Sequence, residues 1–151
     1  MDSADRQFLA TERRSIERTL ALLNEASASP SPSELEWIAM ATLLQNLYTG
    51  MENVLRFVLQ SRGVKIRDSA RWHKDLLASA LDGAVISQDV ADDLMQFLLF
   101  RHVHIHGYAF RIDPASVRPL VEAAPDLVRR FFAAIEKLGF GPSNRGEGLN
   151  G

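Results

Sequence analysis

Eight consecutive residues, Arg101-His102-Val103-His104-Ile105-His106-Gly107-Tyr108, hold three of the four histidines, an arginine and one of the two tyrosines. Imidazole titrates near about pH 6.5 and can both give and take a proton at neutrality, while a guanidinium is a permanently charged fork that fits phosphate oxygens. Side chains of these types suit the chemistry of a phosphodiester. A metal cage is the first competing use, since His102, His104 and His106 would share one face of a strand. On a helix His102 and His106 share a flank and His104 points nearly opposite, which disfavours a three-histidine site, and no metal or other cofactor is expected. The plainest alternative is that these groups only bond the free carbonyls of a helix end.

One carboxylate stands out elsewhere. Glu52 comes four residues after Tyr48 and three before Leu55 on a mostly apolar strip. It is either a partner that orients Arg101 or a histidine, or a solvated charge at the strip's edge. The fourth histidine, His73, follows Trp72 at a helix start and is assigned no chemistry.

These residues need a scaffold, and the composition bounds it. The 151 residues suit one domain with a core, and 46% hydrophobic against 24% charged residues is globular. With no cysteine there are no disulfides, thiolate nucleophiles or cysteine-held metals, which fits a cytoplasmic location. A formal charge of −2 excludes a global positive field, so any nucleic-acid binding must be local. No secretion signal is read at the start, and the most apolar stretch, Trp37 to Leu59, is interrupted by Gln45, Asn46, Glu52, Asn53 and Arg56, which argues against a membrane span. The glycine-rich segment 139–151 reads as a mobile tail behind a domain of residues 1–138.

Apolar spacing predicts an all-α chain of five helices in an up-and-down bundle. The first runs from about Asp5 to Glu25 with Phe8, Ile16, Leu20 and Leu23 inward. The second, capped by Ser33, continues to about Gln60, with Trp37, Met40, Leu44, Leu47, Met51, Val54 and Val58 at spacings of three and four and a further strip of Ala41, Tyr48, Leu55 and Leu59. So wide a face must be covered on more than one side, by the bundle or by another subunit. A basic connector with Lys65, Arg67 and Arg71 leads to a short helix from Trp72 to Leu81. Ser87 caps a fourth helix that carries Val90, Leu94, Phe97 and Leu98 on one flank, with Arg101 and Ile105 as candidate further members, and that ends near Gly107. Asp113, with Ser116 in competition, starts a fifth that Pro125 should bend.

The spacing Arg101, four residues, His106, one residue, Tyr108, together with the string from Phe100 to Asp113 and Tyr48-Thr-Gly-Met-Glu52, resembles the HepT-like ribonuclease toxins of the HEPN superfamily. The resemblance in helix order covers about residues 5 to 138 and its specific residues lie in those two segments. It implies a metal-independent endoribonuclease with Arg101 and His106 as the catalytic pair. It further implies a minimal nucleotidyltransferase antitoxin able to attach AMP to Tyr108, in a type VII toxin-antitoxin pair. Gly107 loosens the helix end where the motif must be held, or supplies the turn there.

On this reading His106 moves a proton at the 2′-hydroxyl or at the departing 5′-oxygen, and Arg101 neutralises charge growing on the non-bridging oxygens. A 2′,3′-cyclic phosphate and a 5′-hydroxyl result. Five residues apart on a helix, Arg101 and His106 project about 140° from each other, so they converge only if the helix unwinds near Gly107 or if two copies meet in a homodimer. His102, His104 and Arg111 either line the RNA path or merely sit at the surface. The second reading of the whole chain is a non-catalytic HEPN module that binds a nucleotidyltransferase partner or its substrate, and a metal-dependent hydrolase comes third.

Overall fold

The computed structural model describes residues 1–66, 69–106 and 112–141, with 104–106 defined by backbone alone. Its elements are α1 (Ser3–Ala26), α2 (Glu34–Ser61), α3 (Trp72–Asp82), α4 (Gln88–His106) and α5 (Pro114–Lys137). No strand occurs among the described residues, so the chain is all-α, as its apolar spacing predicts.

Each start follows from local chemistry. Asp2 and Asp5 cap α1 reciprocally, each accepting from the other's backbone N–H at 2.8 and 3.1 Å, so the helix begins earlier than its apolar pattern suggests. Ser33 and Glu36 do the same for α2. Ser87 accepts from the Val90 N–H at 3.3 Å. At α5 the competition between Asp113 and Ser116 goes to Asp113, which accepts from the Ala115 N–H at 3.0 Å while Pro114 fills a first-turn position that needs no donor. The fifth helix continues through both Pro119 and Pro125.

The second helix is the axis of the bundle. It touches all four others, while α1, α5, α4 and α3 follow one another around it. That accounts for its wide apolar face: Met40, Leu44, Leu47, Met51, Val54 and Val58 are buried, and so are Ala41, Tyr48, Leu55 and Leu59. Against it α1 sets Leu9, Ile16 and Leu23, seven residues apart and therefore on one line. Phe8, expected inside, is instead 39% exposed and stacks on Phe57 at 5.0 Å. Close approach of the two helices needs Gly50, where a Cβ would come within 2.7 Å of Ile16 Cγ1.

The ends of α2 and α3 fix how the next element is aimed. Arg62 is followed by Gly63 at φ 77°, and the Val64 N–H returns to the Leu59 carbonyl at 3.0 Å, which closes the helix and turns the chain. The same device ends α3, except that Ala84 takes the left-handed conformation at φ 55°. Beyond α5, Phe140 packs edge-on against Phe57, so packing reaches past residue 138; residues 142–151 lie outside the described part of the chain.

Candidate functional site

Where α2, α3 and α4 converge, the apolar interior is broken by one acid. Glu52 is only 3% exposed. An unpaired carboxylate there would cost several kcal/mol, so its neighbours decide whether the position is tolerable. One turn earlier on α2, the Tyr48 hydroxyl donates to Glu52 Oε2 at 2.8 Å. From the first turn of α3, His73 Nδ1 lies 2.7 Å from the same oxygen. From α4, Arg101 Nη1 stands 3.8 Å from Oε1, close enough for charge attraction and too far for a hydrogen bond.

Helix geometry delivers each group. Tyr48 and Glu52 are four residues apart on one helix face. Phe97 and Leu98 are buried in the α4 flank, and Arg101 is the next residue on that flank, at spacings of four and three. His73 is held from the side as well: the Trp72 ring lies over it with centroids 3.7 Å apart, and the Arg56 guanidinium lies 5.5 Å from the Trp72 ring.

The hydrogen bonds constrain the protons. An ionised carboxylate only accepts, and a phenol can only donate to it. Burial, followed by the negative charge of Glu52 and the hydrogen bond to it, pushes the Tyr48 hydroxyl far above its ordinary pKa, with Arg101 pulling the other way. Tyr48 therefore stays the donor to Glu52, and His73 meets the same oxygen through Nδ1, where an ionised carboxylate calls for an N–H. Arg101 Nη1 is buried and makes no hydrogen bond among the described residues, although its side chain as a whole is 26% exposed.

Of the residues singled out in the sequence, Glu52 and Arg101 are thus neighbours, and Glu52 is buried rather than solvated. His102 is exposed on α4. The side chains of His104 and His106, and all of Tyr108 and Arg111, fall outside the described residues. The backbone of α4 is helical from Arg101 through His106, which keeps the two positions about 140° apart around the axis. His73, which sequence reasoning passed over, is the structure's addition to the cluster. The signal that could have found it was Glu52 itself, because an acid inside an apolar strip demands donors from whatever packs on it.

Two further features bear on the site. On α4, Leu99 and Val103 are 44% and 69% exposed, one turn apart, at a groove of about 490 Å³ shared with Pro119, Leu120 and Ala123 of α5. Among the described residues no group of three or more His, Cys, Asp or Glu could hold a metal ion, and no helix is long and apolar enough to cross a membrane.

A family model described as HepT-like protein matches residues 39–139, a stretch that includes Tyr48, Glu52, His73 and the whole of α4 and leaves out α1. No curated protein and no solved structure matches the chain.

Proposed function

The chain belongs to the HepT-like family of the HEPN superfamily, and we propose that it is a metal-independent endoribonuclease, the toxin of a toxin-antitoxin pair. The observation that carries this reading is the placing of Arg101: its Nη1 is buried beside the Glu52 carboxylate, 3.8 Å from Oε1, while the side chain as a whole stays 26% exposed, so an anchored guanidinium reaches the surface. A cation fixed before substrate arrives stabilises charge that grows only in the transition state, which raises rate more than it raises binding. Arg101 would neutralise the phosphoryl oxygens while His106 moves a proton during attack by the 2′-hydroxyl.

The angle between Arg101 and His106 around α4 supports a homodimer in which the two residues facing one phosphate come from different copies. The exposed Leu99 and Val103 strip supports the same arrangement, because an apolar edge beside the motif gains by being covered. A nucleotidyltransferase-type antitoxin would silence the toxin by attaching AMP to Tyr108, adding bulk and negative charge where RNA phosphate must sit. His102, His104 and Arg111 would border the RNA path.

Expression of the chain alone in a bacterial host should arrest growth and fragment RNA. The Arg101→Ala form and co-expression with a minimal nucleotidyltransferase should each relieve the arrest, with Tyr108 gaining the mass of AMP in the second case. Unmodified Tyr108 under full relief would remove the modification step. Intact RNA with normal growth would leave the non-catalytic partner-binding module.

A further inference from the structure

Transesterification of RNA needs a base at the 2′-oxygen and an acid at the 5′-oxygen, and His106 cannot serve both at once in one copy. We propose that His73 is the base: its Nε2 takes the 2′-hydroxyl proton while Glu52 fixes the ring through Nδ1. This rests on the ribonuclease reading above and adds to it a residue outside the motif on α4.

Four observations converge on His73. Its Nδ1 lies 2.7 Å from Glu52 Oε2, and an Nδ1–H donated to that carboxylate would leave the lone pair of the neutral ring on Nε2. Glu52 is itself held by the Tyr48 hydroxyl, so the acceptor that orients the ring is fixed in turn. The His73 side chain is 29% exposed, and no described residue hydrogen-bonds its Nε2. Arg101 approaches the other carboxylate oxygen of Glu52, so the proton acceptor and the phosphate-neutralising cation flank a single acid.

Among the described residues, the charged and titratable groups gathered here include Glu52 and Tyr48 from α2, Arg101 from α4 across Glu52, and Arg56 of α2 beside Trp72. Within that set one carboxylate is set against the imidazole and two arginines, a balance that accepts an anionic phosphate. In the step, the 2′-O–H proton passes to Nε2 and the 2′-oxygen bonds to phosphorus. The bond from phosphorus to the 5′-oxygen breaks, and His106 delivers a proton to that oxygen. Glu52 remains ionised and offsets the imidazolium it faces.

The test uses purified full-length protein and two substrates, an RNA oligonucleotide and the 4-nitrophenyl ester of uridine 3′-phosphate, whose leaving group needs no acid. His73→Asn keeps an amide N–H for Glu52 and has no Nε2. It should melt like wild type, lose about 10²- to 10⁴-fold in kcat on both substrates, and lose the acid-side limb of the pH–rate profile. His106→Ala should recover on the activated ester. The ¹⁵N shifts of wild-type His73 should report the Nδ1–H tautomer at neutral pH, a readout independent of turnover. Undiminished cleavage by His73→Asn, its rescue by the ester, or an Nε2–H tautomer would overturn the assignment. If wild type cleaves neither substrate, the ribonuclease reading has failed and His73 falls with it; if wild type cleaves and His73→Asn matches it, only the assignment of His73 has failed.

Discussion

The two flanks of α2 handle charge in opposite ways. Toward α1 and α5 the contact is apolar, with Ile16 pressed on Gly50 and Leu9 and Leu23 beside it, and charge is kept to the rim, where Arg13 reaches Glu136 at 2.6 Å and Glu17 at 3.1 Å. Toward α3 and α4 a carboxylate is carried inside and surrounded by a phenol, an imidazole and a guanidinium. The first flank could be rebuilt from other apolar residues of the same volume with little loss. The second, rebuilt whole in apolar residues, would hold the fold as well, because buried ionic clusters seldom stabilise more than apolar side chains would; what it would lose is the set of groups gathered around the acid. On the function proposed above, the acid accepted on that side of the central helix positions Arg101 and His73.

The largest effect that would break this contrast is at the acid itself. Glu52→Ala strands the Tyr48 hydroxyl, His73 Nδ1 and a partly buried arginine together, and should lower stability by about 3 kcal/mol, measured by denaturant unfolding. In an Arg101→Leu background the loss should shrink by about 1 kcal/mol, since no cation is then left without its counter-charge. Equal losses in both backgrounds would mean that Arg101 does not feel Glu52.

Next comes alkaline pH. The folded state holds the Tyr48 proton well beyond the point, about pH 10, at which the unfolded chain releases it. The folded state therefore binds more protons there, and Tyr48 contributes a stability that is level below about pH 10 and falls by at most roughly 1.4 kcal/mol per pH unit above it. Tyr48→Phe should flatten that fall in melts run across the range, while a retained slope would assign it to other groups.

On the apolar flank the effects should be smaller. Gly50→Ala gains about 1 kcal/mol of helix propensity but forces Ile16 away from a 2.7 Å approach, for a net loss of about 1 kcal/mol in thermal unfolding. At the rim, Glu136→Gln should change stability by less than about 1 kcal/mol, because the pair with Arg13 is half in water. A larger loss there than at Glu52 would reverse the contrast between the flanks.

The parts of this fold that show in the sequence are those encoded by short-range periodicity. The α2 seam at spacings of three and four, the Ser33 and Ser87 caps and the Asp113-Pro114 start need only neighbours to be recognised. The inward line of α1 was less plain, because Phe8 and Leu9 are both apolar and only packing against α2 selects Leu9. Arg101 was visible twice over, by its motif and by its place after Phe97 and Leu98 on the α4 flank. His73 was not visible, since its partner is 21 residues away on another helix and no local pattern encodes that meeting. The burial of Glu52 stood in the sequence as one of two open readings, and the decision between them came from α3 and α4 closing over it.

The most direct measurement is RNA cleavage by the purified protein in excess chelator, with the termini of the fragments identified. Wild type should leave 2′,3′-cyclic phosphate and 5′-hydroxyl ends, and Arg101→Ala, folded to the same extent, should be slower by about 10²- to 10³-fold. Intact RNA with folded wild type, or equal cleavage by the two proteins, would contradict the account.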